Sequence, residues 1–189
     1  NKEWTYTQYA WSYSKYFDKA YYINLDRRTD RKDHMEQQLC KYHITCTRVT
    51  AVDGKALKWK PEYGVMSNYW NNGSFAYCLS YRIAIIDAIK TGAESILVMD
   101  DDCKFEDNLF EILEKAQKDL PDEWHMLYLG ANHGHPVPAS MPTEKERVGD
   151  HLYRLTGSMG SHSIILHKRS FITILNYLAA PYAPLDMFF

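Results

Sequence analysis

Ile96-Leu97-Val98-Met99-Asp100-Asp101-Asp102 joins four consecutive apolar residues to three consecutive carboxylates. A wholly apolar run this short is the mark of a central strand covered on both faces. Three carboxylates at its end are costly to hold together, because neighbouring like charges raise each other's pKa unless a cation or hydrogen-bond donors compensate. Hard divalent ions such as Mg2+ or Mn2+ take oxygen ligands and bridge a carboxylate to substrate phosphates. The stretch therefore reads as a buried strand that delivers a metal site for a diphosphate. Alternation along a strand puts Asp100 and Asp102 on one face and Asp101 on the other. The plainer alternative is a solvated strand end in which one aspartate caps the next turn.

Upstream of this strand, Ser74 offers a cap for a helix whose Ala76, Leu79, Ile83, Ile86 and Ile89 follow helical spacing, with Gly92 as its stop. Residues 54–73 are loop-like and carry Trp59, Trp70 and an Asn-Asn-Gly turn, and residues 46–52 read as a strand closed by Asp53-Gly54. Thr29 or Asp30 caps a helix with Met35 and Leu39 on one face, after a β-rich run over 21–25 that stops at Asp26-Arg27-Arg28. Residues 1–20 are an aromatic and polar arm. Downstream, Asp107 caps an amphipathic helix (Leu109, Ile112, Leu113, Ala116, Leu120) that Pro121 stops. Strand-like runs at 125–129, 151–156 and 163–166 precede a helix over 168–178. The intervening loop 130–150, with Gly130, Gly134 and Gly149, has the composition of a lid. Strands alternate with helices, which predicts one α/β domain over 21–189, a mostly parallel sheet with helices on both faces. Right-handed crossovers bring the C-terminal strand ends to one edge, where ligands of such sheets bind.

Composition narrows the function classes. The 189 residues are 46% hydrophobic and 24% charged, enough for one domain with a real core and no staples. A net charge of −2 without a basic run gives no electrostatic footprint for nucleic acid. No apolar run approaches the roughly 20 residues of a membrane span. Cys40, Cys46, Cys78 and Cys103 lack CxxC spacing, so neither a zinc site nor a dithiol motif is indicated, and reduced, mostly buried thiols are expected. Asn1-Lys2-Glu3-Trp4 is neither an initiator nor a signal peptide. A processed or excised piece is therefore expected, and the apolar end Phe188-Phe189 suggests further residues. The soluble segment is expected in the cytoplasm, or in the secretory-pathway lumen if a removed leader preceded it. GxxxxGK, GxGxxG, HExxH and G-x-S-x-G are all absent. An aspartyl-phosphate phosphatase would carry Thr or Val where Lys104 stands, and would place its acidic motif near the first strand.

Several segments together resemble glycosyltransferase family 25. Ile23-Asn24-Leu25-Asp26-Arg27-Arg28-Thr29-Asp30-Arg31 is similar to its "INLxRRxDR" stretch, Ala51-Val52-Asp53-Gly54 to its "AxDG" turn, and Ile96 to Phe105 to its "ALILEDDAxF". Cys78-Leu79-Ser80-Tyr81 resembles "GCxxSH", residues 122–130 "xWDxIYLG", and Ala183-Pro184-Leu185-Asp186 the closing "xPVD". The resemblance implies a GT-A (Rossmann-like) fold and a metal-dependent transfer, with inversion, of a hexose from UDP-galactose or UDP-glucose to a hydroxyl of a glycan or protein. Mn2+ or Mg2+ is the implied cofactor. There are departures: Tyr81 replaces the family's His, Ala76-Tyr77 stands where a Gly is usual, and Asp100 replaces a Glu.

On this reading Asp102 coordinates the metal and bridges to the diphosphate, while Asp100 meets the ribose or a metal-bound water. Asp101 takes a structural hydrogen bond beside the donor. Ile23 and Asn24 wall the nucleobase, Asp53 reaches the nucleoside, and Ser80 joins the donor contacts. Of Arg27, Arg28 and Arg31, one is expected in the site and two on the surface, Arg28 and Arg31 being the candidates for phosphate. His162 is the expected late histidine of the metal shell. Tyr128, Trp59 and Trp70 are candidates to stack on a sugar. An inverting transfer also needs a base for the acceptor hydroxyl; Asp186 is the first choice and Asp150 the second. The alternative class is a non-catalytic nucleotide-sugar- or glycan-binding module of the same fold.

Overall fold

The structure, a computed structural model, describes residues 15–58, 70–130, 145–155 and 160–189. In chain order its elements are β1 (Lys19–Asn24), α1 (Thr29–Lys41), β2 (Thr47–Thr50), α2 (Asn72–Lys90), β3 (Ser95–Asp100), α3 (Leu109–Asp119), β4 (Met126–Tyr128), β5 (Lys145–Arg147), β6 (Tyr153–Leu155), β7 (Ser163–His167) and α4 (Lys168–Ala179). Single 3-10 turns follow β2 at Gly54–Ala56 and α4 at Leu185–Met187. The main sheet has the order β2-β1-β3-β7-β4. Strands β2, β1 and β3 are parallel, and β7 runs antiparallel between β3 and β4. This is the α/β domain, with a mixed and mostly parallel sheet, that the alternation of elements predicts, and it is consistent with a GT-A-like fold.

The central strands bury both faces, which is why their sequences do not alternate. Tyr21, Ile23, Ile96, Val98, Ile164 and Leu166 pack with Ala84, Ile85 and Ala88 of α2 and Phe171, Ile174 and Leu178 of α4. Ala20, Tyr22, Leu97, Met99 and Ile165 face the other way, onto Met35 and Leu39 of α1 and Leu113 of α3. Tyr16 and Phe17 join this second layer, and β1 begins at Lys19, two residues earlier than the β-rich run suggests. The four cysteines are free thiols; Cys78 and Cys103 are buried and Cys40 is exposed.

Four local expectations change. In α2 the buried face is Cys78, Tyr81, Ala84, Ile85 and Ala88, and Ile83 and Ile89 face solvent. The helix is apolar nearly all round, so spacing alone does not say which stripe meets the sheet. Its cap is Asn71 rather than Ser74: the Asn71 Oδ1 accepts from the Gly73 and Ser74 amides at 2.8 and 3.1 Å. Asp107 does not cap α3; it binds Lys41 Nζ at 2.7 Å and accepts from Tyr42 Oη at 3.1 Å, tying α1 to the start of α3. Within 130–150, Lys145–Arg147 forms β5 and pairs with β6, and residues 131–144 lie outside the described residues. Among the described residues no helix is long and apolar enough to cross a membrane.

Parallel pairing positions the site. Register sets Ile23 beside Asp100 and Asn24 beside Thr50, so the turns after β1, β2 and β3 leave the sheet at one edge. The start of α2 closes over the same edge, against the Gly54–Ala56 turn. A Cβ on Gly54 would lie 2.6 Å from the Asn72 carbonyl oxygen, so this close approach requires a glycine.

Candidate functional site

At that edge lies an open cleft of ≈ 640 Å³, lined by Ile23 of β1, by Leu25, Arg27 and Arg28 of the turn after it, and by Arg31 of the first turn of α1. The loop after β2 adds Ala51 to Lys55, α2 adds Asn71 to Gly73, Ala76, Tyr77 and Ser80, and the strand end adds Asp100, Asp101 and Asp102. Among the described residues, four cations (Arg27, Arg28, Arg31, Lys55) and four carboxylates (Asp53, Asp100, Asp101, Asp102) therefore line the same cleft.

The three aspartates have distinct surroundings. Strand β3 ends at Asp100, so strict alternation does not continue through the triplet. Asp100 accepts a 2.8 Å hydrogen bond from Tyr77 Oη. Burial lifts its carboxyl to about 6, against the pull of the Tyr77 hydroxyl and with the repulsion of Asp102 and Asp101 added. Asp101 is buried and fully engaged: Asn24 Nδ2 donates to it at 2.7 Å and Arg31 Nη1 at 2.9 Å. Asp102 is half-exposed and pairs with Arg31 Nη1 at 2.8 Å. Among the described residues no three His, Cys, Asp or Glu side chains converge as a closed metal cage.

The walls are braced by hydrogen bonds. Asn24, buried beneath the cleft, also donates to the Arg28 carbonyl at 3.1 Å and accepts from Arg48 Nε at 2.9 Å; its side chain braces the β1 turn rather than lining the cleft. Ser80 Oγ donates to the Ala76 carbonyl at 2.7 Å and accepts from the Val52 amide at 2.9 Å, fastening the β2 loop to α2. Asp53 accepts from the Lys55 amide at 2.9 Å and from Arg27 Nε at 3.0 Å, and these two donors hold its carboxyl below the usual range. Arg28 forks onto Asp30 at 2.9 and 2.7 Å.

A second cleft of ≈ 390 Å³ adjoins the first, sharing Tyr77 and Asp100 and adding Ser74, Ser161, His162 and Asp186. Tyr77 is the partition. Ser161 Oγ donates to its oxygen at 3.2 Å, and burial pushes its hydroxyl well above the ordinary value.

Of the residues singled out from the sequence, Ile23, Arg28, Arg31, Asp53, Ser80, Asp100, Asp101 and Asp102 line the first cleft, and Asn24 lies beneath it. All three arginines line it rather than one, because the turn after β1 and the first turn of α1 both border the cleft. His162 and Asp186 line the second cleft, with the His162 ring against Gly130. Asp150 is not brought to either: it is exposed on the β5–β6 hairpin and paired with Arg147 at 2.9 Å. Trp70 is buried against Phe75 and Tyr128 lies in a groove beside β4, so neither lines either cleft; Trp59 lies outside the described residues. Tyr81 is buried in the core, edge-on to Phe189, and its hydroxyl has no hydrogen-bond partner among the described residues. Sequence reading missed Tyr77 and Lys55. Nothing in the local pattern links Tyr77 to Asp100, whereas the Asn-Asn-Gly turn did mark where Asn71 enters the wall.

Comparison with known proteins identifies the family. The family model described as "Glycosyltransferase family 25 (LPS biosynthesis protein)" matches residues 17–146, well over half of the chain. The chain is similar to procollagen galactosyltransferase 1 of Danio rerio, 32% identical over 133 residues that cover 60% of this chain and 21% of the relative. It is 34% identical over 129 residues to procollagen galactosyltransferase 2 of Mus musculus, with 60% and 21% covered. It is 30% identical over 135 residues to the inactive glycosyltransferase 25 family member 3 of Homo sapiens, with 64% and 23% covered. The chain thus spans about a fifth of the length of these relatives. With the matched segment running through β1, the arginine turn, the start of α2 and the acidic triplet, the chain belongs to glycosyltransferase family 25.

Proposed function

We propose that the first cleft binds a nucleotide-sugar donor with a divalent cation, and that the protein transfers a hexose from a UDP-sugar, UDP-galactose or UDP-glucose, to a hydroxyl of a glycan or protein. One observation carries this reading: a single cleft gathers Asp100 and Asp102 with the guanidinium groups of Arg27, Arg28 and Arg31. Similarity to two procollagen galactosyltransferases supports the choice of hexose.

The donor set fits the cation. Asp100 and Asp102 offer hard oxygen ligands, and Mg2+ or Mn2+ typically takes one or two carboxylates and completes its shell with phosphate oxygens and water rather than a protein cage. When bound, the cation would neutralise charge as the diphosphate departs. The chain's own residues do the rest. Arg28 and Arg31 hold phosphate oxygens, and Asp53 meets the nucleoside from the β2 loop. Tyr77 keeps the Asp100 carboxylate fixed between the two clefts. Asp186, in the second cleft, takes the proton of the acceptor hydroxyl, and attack from that side inverts the anomeric carbon.

Thermal-shift measurement with a panel of nucleoside diphosphates and nucleotide sugars, with and without Mn2+, tests the reading. A ligand at 100 times its dissociation constant stabilises a fold by about 2.7 kcal/mol, so the shift is easily seen. UDP or a UDP-sugar should shift the melt only with metal, and Asp102→Asn should remove that shift. A shift by another nucleotide would reassign the donor, and no shift at all would withdraw the site. A relative described as inactive keeps a second reading in view, a binding module without turnover. Donor binding without transfer by the wild-type chain would select it.

A further inference from the structure

Arg31 touches two members of the triplet in different ways. Its Nη1 makes an aligned hydrogen bond to Asp101 Oδ1 at 2.9 Å, and Asp101 is further pinned by Asn24. The same nitrogen lies 2.8 Å from Asp102 Oδ2 as an ion pair, and that carboxylate is half-exposed. One contact is an anchor and the other is a loose end. Among the described lining residues four cations and four carboxylates cancel, so these groups offer a diphosphate entering without metal no net positive charge.

We infer that Arg31 is the counterion the cleft itself supplies to Asp102, and that loading moves this guanidinium from Asp102 to a phosphate oxygen while it stays tied to Asp101. The inference rests on the donor-site reading above. A divalent cation arriving alone must displace the guanidinium from Asp102, which weakens its binding. A diphosphate arriving with the cation gives Arg31 a new acceptor, and the fork geometry suits phosphate. Arg31 thereby couples the two ligands, so that each tightens the other by the same factor. The substitution Arg31→Lys would keep the charge near Asp102 without the fork.

The test is Mn2+ binding to the whole 189-residue chain, read by the EPR signal of free Mn2+, with and without UDP. In the wild type UDP should tighten Mn2+ binding, and Mn2+ should tighten UDP binding equally. Arg31→Gln should bind Mn2+ alone about fivefold or more tighter, and its coupling to UDP should shrink, since couplings of this kind are typically about 5- to 150-fold. Arg31→Lys should bind Mn2+ alone as the wild type does yet lose most of the coupling, and it carries the test if the Gln variant fails to melt cooperatively. A folded Arg31→Gln with wild-type Mn2+ affinity, or an Arg31→Lys with full coupling, overturns the inference while the donor reading stands. A wild-type chain that binds neither Mn2+ nor UDP overturns the donor reading instead, and the inference with it.

Discussion

Replacing Asp100 by Asn should stabilise the metal-free protein while destroying its site. Asp100 is held against Tyr77 with its carboxyl lifted from 3.8 to about 6, chiefly by burial. A folded-state pKa above the unfolded one means that the fold favours the protonated form, so the ionised carboxylate starts to weigh against folding as pH rises past 3.8 and does so in full above about 6. That gap of about two pH units, at about 1.4 kcal/mol each, sets a ceiling of about 3 kcal/mol at pH 7.5. Because Asp100 lines two open clefts, water penetration reduces this to about 1–2 kcal/mol. For a chain of this size the expected rise in Tm is about 3–6 °C. Tyr77 can still donate to the amide oxygen, so no hydroxyl is orphaned. The gain should fade as pH falls from 6 towards 4, where the wild-type carboxyl becomes protonated in the fold and escapes the cost. Scanning fluorimetry in chelator at pH 7.5 and 4.5 measures both. A lower Tm at pH 7.5, or a gain that grows towards pH 4.5, would refute the account of Asp100 as a destabilising charge held for use.

Gly54→Ala should lower stability by about 1–3 kcal/mol and weaken UDP binding together, because the added methyl meets the backbone of Asn72 and Gly73 at 2.6 to 2.9 Å; calorimetric melts with and without UDP and Mn2+ would read both effects. Ser80→Ala removes the acceptor of the half-buried Val52 amide and should cost about 0.5–1.5 kcal/mol in urea unfolding, with Ser80→Cys recovering little because sulfur accepts weakly. Asp186→Asn should reduce UDP release from a UDP-hexose in the presence of acceptor by about 10²-fold or more, with a far smaller effect of Asp150→Asn; the reverse order would move the base to the β5–β6 hairpin.

Much of the fold was legible. The apolar run at 96–99 announced a strand buried on both faces and the β-rich run at 21–25 a further strand, and the stops at Asp26 and Asp100 marked where they leave the sheet. The position of the cleft followed from parallel strands alone. The buried face of α2 was not legible, because a helix apolar nearly all round carries no stripe to read. Asp107 looked like a cap in sequence, yet the long-range pair with Lys41 and Tyr42 claimed it. Asp150 sat close to the expected active edge in the chain and turned out to belong to a surface hairpin.

By itself the sequence determined the quantities that depend on near neighbours: which segments form the main sheet, and that three carboxylates fall together where its central strand stops. Only the tertiary structure decided what those carboxylates do. Asp100 meets Tyr77 across 23 residues, Asp101 meets Arg31 across 70 and Asn24 across 77, and each contact arises where a crossover returns the chain to the same sheet edge. Local pattern specifies backbone direction and burial, but partners chosen across a crossover depend on strand order and register, which no short stretch of chain contains.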